Sequence, residues 1–231
     1  MSKYNRTYHL PYSPGATSDD KISKSVDSLL GKDIVITEKM DGENTGMTGF
    51  KTISHTGETI YDGGVYARSH AAYTTSAWSR EVRQLHKIKV EGMLGEGVFL
   101  FGENLEGIHS IEYTNLESYF YIFGVRDNNK WISWNEVEEY SYLLDIPTVP
   151  VLFRGVVNTE KELQEIVENL VTKESTLGGV REGIVVRNAG EFDNSDFGSN
   201  VMNWVRPKHV QTIDKHWTRN WVKAKISKNN D

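Results

Sequence analysis

A lysine amine attacks phosphorus only when it is neutral, so a nucleophilic lysine must sit where its proton can be removed. Lys39 lies in Thr37-Glu38-Lys39-Met40-Asp41-Gly42-Glu43-Asn44, directly after the β-rich run Asp33-Ile34-Val35-Ile36-Thr37. Strand alternation puts Ile34 and Ile36 on one face and Val35 and Thr37 on the other, with Glu38 pointing away from the side that carries Lys39. Gly42 lets the backbone turn and approach a ligand closely. Neutralising a lysine of ordinary pKa near pH 7.5 costs about 4 kcal/mol, which burial or neighbouring cations can supply. Asp41 opposes it if it faces the amine. A single K-x-D-G describes many solvated strand ends, so the lysine needs company.

The elements around it supply that company. Arg68 closes Tyr61-Asp62-Gly63-Gly64-Val65-Tyr66-Ala67, read as a hairpin turning at Asp62-Gly63. Val98-Phe99-Leu100-Phe101 is a buried-type strand ending at Gly102-Glu103-Asn104, and Tyr119 to Val125 is another, containing Phe123. Glu182 opens the strand Gly183 to Arg187, and Val201 to Val205 runs into Arg206-Pro207-Lys208. Between these lie three helices. One spans about Ser79 to Glu91 with Val82, Leu85 and Ile88 on one side. A second is opened by the capping box Ser133-Trp134-Asn135-Glu136 and runs to about Leu144. A third follows Thr159, with Leu163, Ile166, Val167, Leu170 and Val171 at helical spacing. The order of elements is α+β: antiparallel β-sheets flanked by helices.

In this order, the charged strand ends match a known pattern. The chain resembles the covalent nucleotidyltransferases, which comprise ATP-dependent RNA and DNA ligases and mRNA capping enzymes, and within them it is most similar to the phage-type RNA ligases. Motif I is Lys39-Met40-Asp41-Gly42, with Asn44 in the RNA-ligase form. The arginine after a hairpin is Arg68. Motif III is Phe101-Gly102-Glu103, continuing into His109-Ser110-Ile111-Glu112-Tyr113. Motif IIIa places Phe123, motif IV is Glu182-Gly183-Ile184-Val185-Val186, and motif V falls on Arg206-Pro207-Lys208, with arginine in place of the usual first lysine.

The resemblance implies an ATP-grasp-like adenylation domain, and a ligase joining 5′-phosphate and 3′-hydroxyl ends through a lysyl-AMP on Lys39. ATP and Mg²⁺ are the implied cofactors, with Mn²⁺ as the alternative ion. Arg68, Arg206 and Lys208 would surround the phosphates and lower the pKa of Lys39. Glu182 would hold the metal, Glu103 the ribose, and Phe123 would stack on adenine with Glu38 and Asn44 helping to bind the nucleoside. The implied partner is nucleic acid, RNA favoured and nicked duplex in particular. A minimal ATP-dependent DNA ligase, another nucleotidyltransferase, or a non-catalytic nucleic-acid-binding module would carry some of the same features.

Composition sets the bounds. The chain has 231 residues, 38% hydrophobic and 25% charged, which is the balance of a soluble globular protein. It contains no cysteine, which excludes disulfides, zinc-thiolate sites and a thiol nucleophile. No apolar run reaches membrane-spanning length and the N-terminus lacks a signal-peptide core, so a cytoplasmic protein without a membrane partner or an obligate protein partner is expected. The net charge of −6 argues against a general nucleic-acid coat protein. The end is different: Arg206, Lys208, Lys215, Arg219, Lys223, Lys225 and Lys228 face only Asp214 and Asp231. That basic tail (206–231) either meets an anionic partner or packs on the body as a helix through Trp217 and Trp221. The stretch after Lys208 is too short for an OB-fold. A single nucleotidyltransferase domain over 1–231 is expected, with an N-terminal extension over 1–30.

Overall fold

The computed structural model describes residues 3–68, 72–207 and 218–227. Two sheets carry the fold. The first has five strands in the order β1-β11-β9-β2-β8, with β1 Tyr8–His9, β11 Val201–Val205, β9 Gly183–Asn188, β2 Asp33–Lys39 and β8 Val151–Val156. Only β1 runs parallel to its neighbour. The second has six strands in the order β10-β7-β6-β5-β3-β4, all antiparallel. These are β10 Phe192–Asp193, β7 Lys130–Trp131, β6 Phe120–Asp127, β5 Val98–Asn104, β3 Glu43–Ile53 and β4 Thr59–Ala67. The architecture is α+β, as the order of sequence signals implies.

Strand β2 joins the layers through its alternation. Ile34 and Ile36 are fully buried against Leu163, Val167 and Leu170 of α3 (Glu160–Val171). Val35, on the other face, enters the main core with Met47, Leu100, Ile122 and Val137. Helix α3 starts where Thr159 accepts the Glu162 N–H, and α2 (Trp134–Leu144) where the Ser133–Glu136 box closes in both directions. No helix among the described residues is long and apolar enough to cross a membrane.

Two local expectations are corrected. The β3–β4 hairpin turns at Ser54–Glu58, with Gly57 at φ +84°, while Asp62 and Gly63 lie inside β4. Gly63 instead faces Gly49 across the ladder, where a Cβ on Gly49 would come within 2.7 Å of the Val90 carbonyl. The glycine pair makes room for a crossing chain rather than a turn. The helix near Ser79 is α-helical only over Arg80–Leu85 (α1) and continues as a π-turn over His86–Val90. The wider turn rotates the apolar stripe, so Val90 is buried and Ile88 is 71% exposed.

The basic tail is likewise not helical in its described part. Residues 222–227 bridge to the segment from Glu106 to Tyr119, Lys223 to Gly107 and Ile226 to Leu116. Trp217 lies outside the described residues.

Candidate active site

Where β2 ends, Lys39 pairs with Gly183 of β9, which brings the neighbouring Glu182 beside the amine. Lys39 Nζ donates to Glu182 Oε1, and the two form an ion pair with the glutamate wholly buried. Burial draws the Lys39 pKa down, but Glu182, Glu103 and Asp41 together outweigh it and hold the ammonium above the ordinary lysine range. This reverses the expectation that cations would lower it. Arg206 follows β11 and donates its backbone N–H to the Glu182 carbonyl. Lys208 lies outside the described residues.

Glu103 meets the same charges. Burial first, then Glu182 and Asp41, push its carboxyl up to about 8 against the pull of Lys39 and of the Gly42 N–H. It sits on β5 directly opposite Asn44 of β3, and the Asn44 carbonyl accepts the N–H of Arg68 at the end of β4. Three adjacent strands therefore bring Asn44, Glu103 and Arg68 to one edge. A Cβ on Gly42 would stand 2.5 Å from the Asn104 carbonyl and 2.7 Å from Leu105, so this close crossing of β5 demands glycine.

Asp41 has a place of its own. Its Oδ2 accepts from the Ser110 N–H (2.8 Å), the Ser110 hydroxyl (2.7 Å) and the Ile111 N–H (2.8 Å), and its backbone N–H donates to the Tyr113 hydroxyl (2.8 Å). The aspartate of motif I is thus an anchor for the loop after β5. Glu38 occupies the opposite face of β2 from Lys39. Its Oε2 accepts from the Thr176 N–H at 3.0 Å and from Arg181 at 3.4 Å. Glu38 Oε1 and Asn44 Oδ1 are buried acceptors without a hydrogen-bond partner among the described residues. Such atoms suit the amino and hydroxyl donors of a nucleoside.

All of these groups, Glu38, Lys39, Asn44, Arg68, Glu103, Phe123 and Glu182, line one cavity of about 1060 Å³. Its aromatic end holds two features that the sequence reading did not single out. Tyr4 packs edge-on against Phe123 (5.0 Å between ring centroids), with Phe101, Trp131 and Phe197 also within 5.4 Å. Burial pushes its phenol up to about 12. Arg187 lies behind, donating to the carbonyls of Phe123 and Ile132, and burial brings it down to about 10. His109 also lines the cavity, its pKa lowered by burial against the pull of Asp41. An arginine directly after the apolar run Ile184-Val185-Val186, within the same strand, was a visible signal, because an arginine buried there must find carbonyl partners. Nothing in the sequence placed Tyr4.

The described residues contain no cluster of three or more His, Asp or Glu at metal-holding spacing. A hard divalent cation can be held by one or two carboxylates and by substrate phosphates without an all-protein cage. Glu182, which accepts from the Lys39 ammonium, and Asp41 nearby are the negative charge that such a cation would meet.

No curated protein sequence matches the chain. Among solved structures it is similar to a Naegleria gruberi RNA ligase with pyrophosphate, at 15% identity and a TM-score of 0.53, covering 89% of this chain and 61% of that one. It is also similar to an archaeal ATP-dependent RNA ligase, at 13% identity and a TM-score of 0.52, covering 89% and 48%. The chain thus spans about half to three-fifths of the length of these relatives, and the likeness is one of fold. The sequence-family comparison goes further: residues 32–205, which carry every motif from Lys39 to the end of β11, match the model named RNA ligase, and the chain belongs to that family.

Proposed function

We propose that this chain is an ATP-dependent RNA ligase that joins 5′-phosphate and 3′-hydroxyl ends, its residues 1–231 acting as one nucleotidyltransferase domain. The observation that carries the reading is Lys39. It is a strand-end amine in a cavity of nucleotide size, set against Glu182 and beside Glu103, Asn44 and Arg68. Glu38 Oε1 and Asn44 Oδ1 offer acceptors to the nucleoside, Glu103 faces the ribose, and Phe123 presents a ring to the base. Arg68, with Arg206 and Lys208 after β11, supplies cations to the phosphates.

Three transfers follow from this arrangement. The Lys39 amine loses a proton and its lone pair attacks the α-phosphorus of ATP; the Nζ–P bond forms as the bond to pyrophosphate breaks. A 5′-phosphate oxygen of the nucleic acid then attacks the same phosphorus and releases the lysine. Finally a 3′-hydroxyl loses its proton, attacks the 5′-phosphorus and expels AMP. Mg²⁺, or Mn²⁺ in its place, would supply positive charge to offset the carboxylates around Lys39 and the charge developing on the phosphates. Glu182 is the residue that would hold it. The polynucleotide is RNA, with a nicked duplex as the favoured form, and the protein acts in the cytoplasm.

Incubation with α-labelled ATP and Mg²⁺, followed by denaturation, should leave label on the wild-type chain and none on Lys39→Ala. Absence of label on the wild type, or label retained by the variant, overturns the reading. Nicked RNA, DNA and hybrid duplexes then separate the polymer substrates.

A further inference from the structure

Residues 222–227 lie beyond the family-matched region, yet they are bonded to the loop that grips motif I. Ile108 N–H donates to the Val222 carbonyl (2.9 Å) and Ala224 N–H to the Glu106 carbonyl (2.9 Å). The Tyr119 hydroxyl donates to the Ala224 carbonyl at 3.0 Å. Ser227 gives both its N–H (2.8 Å) and its hydroxyl (2.9 Å) to the Leu116 carbonyl. Ala224 is 6% exposed and belongs to the main core, with Ile226 packed against it. Lys223, one of the basic residues of this end, is held by Glu81 at 2.8 Å and lies over the Tyr119 ring. This segment is therefore fastened along its length to the chain from Glu106 to Tyr119. The same stretch delivers the Ser110, Ile111 and Tyr113 groups to Asp41 and places His109 on the cavity wall.

We propose that residues 222–227 form a strap that positions Asp41 and His109 for adenylation of Lys39, by holding the 106–119 loop in the shape that reaches motif I. Ala224 and Tyr119 are positioning residues: they join the strap to the loop. A loop tied only at its ends samples many shapes, whereas this one carries bonds to Asp41, just after β2, on one side and to the strap on the other. Loosening the strap leaves the cavity and its nucleotide contacts in place but lets Asp41 and His109 drift relative to Lys39. A misplacement of ~1 Å at such a site costs on the order of 10²-fold in rate.

The adenylation readout rests on the ligase reading above, so the test is built to separate the two. In the chain of residues 1–231, Ala224→Asp places a carboxylate in the core and expels the strap, while Ala224→Ser keeps a small side chain and the backbone bonds. Single-turnover labelling from α-labelled ATP should show the Ala224→Asp rate at saturating ATP reduced on the order of 10²-fold. The half-saturating ATP concentration should change little, and Ala224→Ser should restore the rate. Hydrogen exchange should quicken over 106–113 and stay unchanged in α3, which packs on the other sheet.

Labelling of Ala224→Asp at the wild-type rate overturns the proposal, as does unchanged exchange over 106–113. If the wild type takes no label, it is the ligase reading that fails, and loop exchange alone decides the strap. If Ala224→Asp also loses protection in α3, the decision passes to Tyr119→Phe. That variant removes one hydrogen bond and should slow adenylation about fivefold; no slowing there overturns the strap.

Discussion

Removing the charge of Glu182 should free the Lys39 amine before any nucleotide is present. In this structure the ammonium is stabilised above the ordinary lysine range because three carboxylates outweigh its burial, and Glu182, in direct contact, is the largest of the three. For unit charges ~4 Å apart at an effective dielectric constant of ~20 the attraction is about 4 kcal/mol. Since ~1.4 kcal/mol is tenfold, losing an attraction of this order should make Lys39 acylate at pH 8 at least tenfold faster in Glu182→Gln, with Asp41 still opposing. The sign is fixed: the glutamate stabilises the charged form, so its loss favours the neutral one. A brief pulse of acetic anhydride, with mass spectrometry of the Lys39 peptide against exposed Lys161 as internal reference, reads that rate directly without ATP or metal. Equal acylation of Lys39 in the wild type and Glu182→Gln at pH 8 would refute the claim that carboxylates govern this amine. The experiment also separates the charge effect from the part Glu182 plays with a metal, because adenylation by the same variant should be poor even though its lysine is more neutral.

Glu103 makes the fold itself sensitive to pH. With its carboxyl pushed up to about 8 from 4.5, the folded protein holds a proton that the unfolded chain has released across that window. Stability should therefore fall as pH rises from about 5 to 8, by up to about 5 kcal/mol, and Glu103→Gln should flatten the dependence in urea titrations. Asp41→Ala strands the Ser110 N–H, the Ser110 hydroxyl and the Ile111 N–H. It should cost about 3 kcal/mol by urea denaturation, and wild-type stability in that variant would count against the anchoring role. Gly42→Ala forces a methyl against the Asn104 carbonyl and Leu105; a loss of about 1–3 kcal/mol is expected in thermal unfolding.

The residues that carry the motifs were legible because their spacing is a local property. A run of β-formers ending in lysine, an aromatic-Gly-Glu after another, and an acid opening a third are each set by the pleat and by strand ends. The capping box at Ser133 and the N-cap at Thr159 set the starts of two helices for the same reason. Ile88 was misplaced because a π-turn changes the helical period without changing composition. The turn at Asp62-Gly63 was misread because a glycine that makes room for a crossing chain looks the same in sequence as one that turns.

What the sequence determined alone was the succession of strands and helices, the chemistry offered at their ends, and membership of a nucleotidyltransferase pattern. Those depend on side-chain alternation, caps and residue type, all of which act over a few residues. Tertiary structure decided the rest: that Asp41 ties a loop, that Tyr4 fills an aromatic box, and that the basic end is strapped to the core. It also decided that Lys39 is held charged rather than stripped of its proton. Each of these is settled by groups far apart in the chain whose distances, and therefore whose Coulomb and hydrogen-bond energies, exist only once the two sheets have closed on each other.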